Sequence, residues 1–171
     1  MILKRWNDIK PLICELDPNI DIESLQDFTK PLVPTKKEKV TSTHDEVKKL
    51  LLDIGKFQMY VANEEFPMGT ERLDVVWRRL PEPVPTYVFE VQIGGDIYHA
   101  LGKLKHAYDI WNSRIFIIAS INDLKTVNDL LSGTFHEIQT IIKFIEIERI
   151  KSLHKAKSNI LNIERELGII P

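Results

Sequence analysis

The chain is poor in cysteine: Cys14 stands alone among 171 residues. A single thiol excludes an internal disulfide and any zinc site built from several cysteines, and it suits a reducing, cytoplasmic setting. Long apolar runs are missing as well. None approaches the roughly 20 residues that a membrane helix needs, so no membrane partner is expected. Residues 1–6 are basic, but no apolar stretch follows them, and no signal peptide is expected. An excess of positive charge is also lacking, since 23 Lys and Arg face 25 Asp and Glu for a formal net charge of -2. No global field advertises a polyanion partner, so nucleic acid would have to be met by a local cluster on one face. There is no internal repeat and no low-complexity segment.

What the chain does have is enough apolar residues for one sizeable core in a single domain. Its most informative stretch is residues 87–95, Tyr-Val-Phe-Glu-Val-Gln-Ile-Gly-Gly. Tyr87, Phe89, Val91 and Ile93 alternate with Val88, Glu90 and Gln92, a period of two that predicts a strand. A carboxylate and an amide on a core strand are costly unless something satisfies them. A metal ion and a phosphate would do so; a buried hydrogen-bond network would too.

The elements around this strand follow from local chemistry. Residues 1–42 carry short helical patterns broken by prolines and read as a helical and loop arm. Thr43-His44-Asp45-Glu46 has the spacing of a capping box, ahead of an apolar stripe at Val47, Leu50, Leu51 and Ile54. Gly55 is the expected stop. Residues 58–64 and 71–79 predict two strands around the turn Pro67-Met68-Gly69-Thr70. In the second, Leu73, Val75 and Trp77 are expected on one face, with Asp74, Val76 and Arg78 on the other. Pro81, Pro83 and Pro85 form a stiff connection. A helix is predicted from an Asp96 N-cap to about Asn112, striped by Ile97, Leu101, Leu104, Tyr108 and Trp111. Tyr98 and Trp111 are expected in the core. The apolar run at 114–120 predicts a strand covered on both faces. A helix over 123–131, a strand over 140–148 and a helix over 151–167, packed through Leu153, Ile160, Leu161 and Leu167, close the chain.

The order is helix, three-strand meander, helix, strand and a helix-strand-helix extension, which predicts an α/β fold with a mixed central sheet flanked by helices. With Asp74 in Glu-Arg-Leu-Asp-Val-Val-Trp and Glu90 and Gln92 in Phe-Glu-Val-Gln, this order resembles the PD-(D/E)XK, or restriction-endonuclease-like, nuclease superfamily. The resemblance covers about residues 43–120 and assigns 43–171 to a nuclease-like domain with an α-β-β-β-α-β core. It implies that Asp74 and Glu90 bind Mg²⁺, with Mn²⁺ as substitute, and that an acidic residue of the first helix, here Glu46, can join them. Cleaving a phosphodiester needs a nucleophilic water near neutral pH and neutralisation of growing negative charge, and a carboxylate-held hard cation supplies both. The superfamily's usual Lys is Gln92 here. Some members use Gln at this place and others bring the Lys from the following helix, where Lys103 is the first candidate and Lys105 the second.

The resemblance implies a metal-dependent deoxyribonuclease in which Asp74, Glu90, Gln92, Lys103 and Glu46 are the catalytic set. His99, Lys103, Lys105 and His106 would form a phosphate-facing ridge on DNA. His99 and His106 cannot share one ion, being ~10 Å apart along the helix axis. One such unit cuts one strand, so double-strand cleavage implies a homodimer with two sites. The alternative is a weakened module of the same fold that binds DNA or a partner protein without cutting. Plainer readings exist for each residue. Asp74 and Glu90 suit ion pairs with Arg72 or Arg78, Glu46 suits the capping box, and His99, Lys103 and His106 suit a solvated helix face.

Overall fold

A computed structural model of the chain describes residues 43–81 and 84–170. The expected arm over residues 1–42 lies outside the described residues. The first described helix, α1 (His44–Phe57), begins as its capping box dictates. The Thr43 hydroxyl accepts the Glu46 N–H at 3.3 Å and the Glu46 carboxylate accepts the Thr43 N–H at 2.9 Å. Gly55 does not stop this helix, which continues for two more residues. The glycine serves the neighbouring sheet instead: a Cβ there would lie 2.6 Å from the Trp77 indole nitrogen, which donates to the Leu51 carbonyl at 3.0 Å.

Strand β1 (Val61–Met68) turns through Gly69 and Thr70 into β2 (Glu71–Arg78). The turn is tighter than the four residues expected, because Met68 pairs directly with Glu71 and Gly69 takes the left-handed conformation at φ 64° that a two-residue hairpin loop needs. Pro67 therefore sits within β1, which the fold tolerates because β1 is an edge strand. β3 (Tyr87–Gln92) pairs antiparallel with β2. Next comes α2 (Ile97–Trp111), which Asp96 caps at its start and Asn112 closes in the left-handed region, as the sequence predicts. It crosses over to β4 (Arg114–Ala119), parallel to β3. The helix α3 (Leu124–Ser132) leads to β5 (Lys143–Glu146), parallel to β4. β5 is shorter than the predicted strand, since turns occupy residues 139–141 and the last helix, α4 (Ile147–Glu166), takes up residues 147 and 148. Among the described residues no helix is long and apolar enough to cross a membrane.

The result is a five-stranded mixed sheet in the order β1-β2-β3-β4-β5, with helices on both faces. On one face Val76, Val88, Ile115 and Ile117 pack against Ala100, Leu101, Leu104 and Ala107 of α2 and Val127 and Leu131 of α3. On the other, Val75, Trp77, Phe89, Val91 and Ile118 pack against Val47, Leu51 and Ile54 of α1 and Ile150 of α4. The alternation read along β3 holds from Tyr87 to Val91. Along β2 it breaks: Leu73 joins Val76 on the α2 face, whereas Val75 and Trp77 lie on the α1 face. The break falls at Asp74. Tyr98 is another departure, because it is more than half exposed and rests edge-on against Phe135.

Candidate active site

Asp74 and Glu90 occupy the position where the β2–β3 ladder gives out. Regular pairing runs from Trp77 and Tyr87 through Val76 and Val88 to Val75 and Phe89. One step further, side chains replace the backbone partners. The Asp74 N–H donates to Glu90 Oε1 at 3.1 Å, and the Val91 N–H donates to Asp74 Oδ2 at 2.8 Å. Each carboxylate therefore closes the other strand's ladder. At this position the alternation breaks on both β2 and β1: Leu73 and Phe66 lie on the α2 face, whereas Val75 and Ala62 lie on the α1 face.

The same line extends onto β1. Glu65 stands opposite Asp74, between the pairs Glu64–Val75 and Phe66–Leu73, and takes no part in the ladder. Its backbone is left-handed at φ 49°, an uncommon state for a residue with a side chain. Three acidic residues, Glu65, Asp74 and Glu90, thus lie side by side across three strands. Each is met by a base from a helix.

Glu90 is fully buried and ion-pairs with Lys103 of α2, whose ammonium also donates to the Arg72 carbonyl at 2.9 Å. Burial and the neighbouring Asp74 carboxylate push Glu90 up to about 8, against the pull of Lys103. Asp74 Oδ2 also meets His44 Nε2 of α1 at 3.2 Å. One helical turn on, the buried Lys48 ammonium pairs with Glu65 and stands 3.6 Å from Glu64 Oε2. Burial pulls the Lys48 ammonium down, but its bond to Glu65 and the charges of Glu65, Asp74 and Glu64 more than offset this and hold its pKa above the ordinary value. Glu65 is correspondingly held below the usual carboxylate range by Lys48.

The other residues singled out in the sequence divide into two groups. Gln92 shares the Glu90 face of β3 and is half-buried, with its amide oxygen so close over Gly95 that a Cβ there would collide with it. His99 is mostly exposed and 3.6 Å from Glu71 Oε1, near the start of β2. By contrast, Glu46 is exposed and closes the capping box, as the plainer reading of it holds. Lys105 bridges Asp109 at 2.7 Å and Glu137 at 2.8 Å, away from Glu90, and His106 is exposed. The pairing of Asp74 and Glu90 with Arg72 or Arg78 does not form; Lys103 and His44 are their partners.

Comparison with models of protein families, with curated proteins and with solved structures finds no match. The site's chemistry therefore rests on its own geometry.

That geometry brings together His44, Lys48, Glu65, Asp74, Glu90 and Lys103. Sequence reasoning missed His44, Lys48 and Glu65. The signal for the first two was present: residues 44, 48, 51 and 55 recur at three- and four-residue spacing, so a lysine and a histidine share the inward side of α1 with Leu51. Glu65 carried no such signal, because its backbone turn depends on its partner strand.

Among the described residues no group of three or more His, Cys, Asp or Glu side chains could hold a metal ion. A closed structural zinc cage is therefore not what this donor set resembles. Magnesium is bound differently, through one or two carboxylates with several waters retained, and the Asp74–Glu90 pair fits that more open demand. Asp74 Oδ1 takes part in neither of the carboxylate's contacts, and Glu90 Oε2 faces the Lys103 ammonium.

Proposed function

We propose that the chain is a metal-dependent nuclease that hydrolyses phosphodiester bonds in DNA, with the restriction-endonuclease-like α-β-β-β-α-β core that the order of its elements resembles. One observation carries this reading: two carboxylates 16 residues apart in sequence interlock at a sheet position where ordinary backbone pairing has been given up. Such an exchange buries a carboxylate at a cost that a bound cation would relieve. Asp74 and Glu90 would hold Mg²⁺, or Mn²⁺ in its place, and such an ion supplies Lewis acidity and a nucleophilic hydroxide near neutral pH.

The chain's own residues do the rest. The backbone N–H groups of Asp74 and Val91 orient the two carboxylates, and His44 fixes the Asp74 rotamer. Lys103, carried on α2, replaces the lysine that Gln92 displaces. Freed from Glu90, its ammonium neutralises charge growing on the phosphate. Gln92 positions a water by its amide, and His99 extends the phosphate-facing edge. Glu46 and Lys105 drop out of the set, the first held by Thr43 and the second by Asp109 and Glu137.

A second reading has its own observation. The Lys103–Glu90 ion pair leaves the buried carboxylate already neutralised, which suits a weakened module that binds DNA or a partner protein without cutting. Incubation of the protein with supercoiled plasmid in Mg²⁺, Mn²⁺ or EDTA separates the two. Nicking that requires metal and disappears in Asp74→Asn and Glu90→Gln supports the enzyme. Retardation of DNA without nicking in any metal supports the module, and nicking that survives both substitutions overturns the site.

A further inference from the structure

The helix α4 carries two stripes, and the fold uses only one. Ile147, Ile150, His154 and Leu161 face inward: Ile150 is buried in the α1-side core, and His154 meets Asp53 of α1 at 3.3 Å and Phe57 at 5.7 Å between ring centroids. The predicted stripe of Leu153, Ile160, Leu161 and Leu167 therefore does not pack as expected. Of these only Leu161 turns inward, while Leu153, Ile160 and Leu167 lie in solvent, Ile160 at 55% and Leu167 at 68% exposure.

The outward stripe is regular. Leu153, Ala156, Ile160, Ile163 and Leu167 recur at alternating spacings of three and four, the a and d positions of a heptad repeat. Its apolar members are isolated from any core, and Ile163 is 52% exposed. The stripe ends in an ordered cap rather than a fray: Gly168 is left-handed at φ 69°, with Gly168 N–H on the Arg165 carbonyl and Ile169 N–H on the Glu164 carbonyl, both at 2.9 Å.

Charges along the rim of this stripe select the partner. Lys157 and Glu164 occupy the same flanking position in successive heptads, and neither has an ion-pair partner among the described residues. Running antiparallel, two copies of α4 set this flank of one against the same flank of the other. Lys157 of each copy then faces Glu164 of its mate, twice over. In a parallel arrangement this flank lies against the opposite one, where Ser152 and Asn159 offer no counter-charge. Beside the flank a groove of about 210 Å³, lined by Phe57, Lys157, Ile160, Leu161 and Glu164, offers room for an aliphatic side chain from across the axis.

We propose that α4 is an isologous dimer surface on which a second copy of this chain docks antiparallel, Leu153 to Leu167 against Leu167 to Leu153. The pairing is self-complementary, as two-fold symmetry demands, and it stands or falls independently of any nuclease chemistry.

The test uses the whole protein. Sedimentation across a concentration range is expected to show a monomer–dimer equilibrium that Ile160→Glu shifts at least tenfold toward monomer. Because Ile160 is solvent-exposed, that variant keeps its fold, which circular dichroism checks. Lys157→Glu alone weakens the dimer, and Lys157→Glu with Glu164→Lys restores it. A zero-length carbodiimide is expected to join Lys157 to Glu164 between copies, the two being ~10 Å apart along the axis within one helix. Mixing isotope-labelled and unlabelled protein identifies that bond as intermolecular. A monomer at every concentration overturns the proposal, as does a dimer indifferent to Ile160→Glu. A stripe cross-linked only to other segments of its own chain would overturn it too.

Discussion

At one end of the β2–β3 pair, Trp77 and Tyr87 face each other across a regular ladder, within an aromatic cluster in which Trp77 and Phe89 are 4.4 Å apart. At the other end, three residues along, Asp74 and Glu90 replace the ladder with side-chain oxygens. The same two strands thus hold one end by burial of large apolar rings and the other by charge-assisted bonds to backbone N–H groups. The first end owes its stability to removal of apolar area from water, which depends little on pH. The second buries a carboxylate at a cost that only a cation, a proton or Lys103 relieves. The apolar burial is concentrated at the aromatic end, and the buried carboxylate lies at the other.

Breaking the acidic end is expected to have the largest effect on activity. Asp74→Asn or Glu90→Gln should lower metal-dependent plasmid nicking more than about 100-fold, since even outer partners of metal ligands are commonly worth 10–100-fold. The fold should survive both, as read by thermal unfolding. Breaking the aromatic end should do the reverse. Trp77→Ala removes a buried ring and is expected to cost about 3–5 kcal/mol in denaturant unfolding, with metal uptake by the folded fraction unchanged in calorimetry.

The comparison sharpens with pH. Glu90 ordinarily titrates near 4.5, and in the fold it is pushed up to about 8. Between those values the native carboxyl holds a proton that the unfolded chain has released, so the stability is fully present below about 4.5 and is lost as pH rises to about 8. In EDTA the unfolding free energy should fall by at most about 1.4 kcal/mol per pH unit over this window. Glu90→Gln should flatten the slope. A slope that persists in that variant assigns the proton elsewhere. The smallest effect is expected from His44, which is 40% exposed and touches Asp74 without a role in the core. His44→Ala should reduce the nicking rate about tenfold and leave the melting temperature unmoved; an equal loss at saturating metal and at limiting metal would show that it does not orient the Asp74 ligand.

Much of this arrangement was legible from local chemistry. The element order, the capping box at Thr43, the Asp96 cap and the alternation of β3 all arise from neighbours in sequence, where periodicity and side-chain reach decide the outcome. So was the pairing of Asp74 with Glu90, because a meander must bring successive strands together. What escaped was non-local. Gly55 reads as a helix stop until Trp77, 22 positions on, turns out to need its missing Cβ. Leu73 reads as a partner of Val75, yet the alternation breaks between them. Lys48 looks like a surface charge, yet it is buried and pairs with Glu65, which itself stays exposed. The stripe of α4 was recognised as apolar, yet periodicity records that a helix has an apolar face and not what covers it.

The sheet's two borders have a consequence of their own. On one side Pro67 withholds an amide hydrogen and the run Glu64-Glu65 adds charge and a left-handed kink, each a barrier to an incoming strand. On the other, β5 is only four residues long, too little template for a stranger's backbone. Both margins of the described sheet therefore resist strand addition, which disfavours templated growth into fibres.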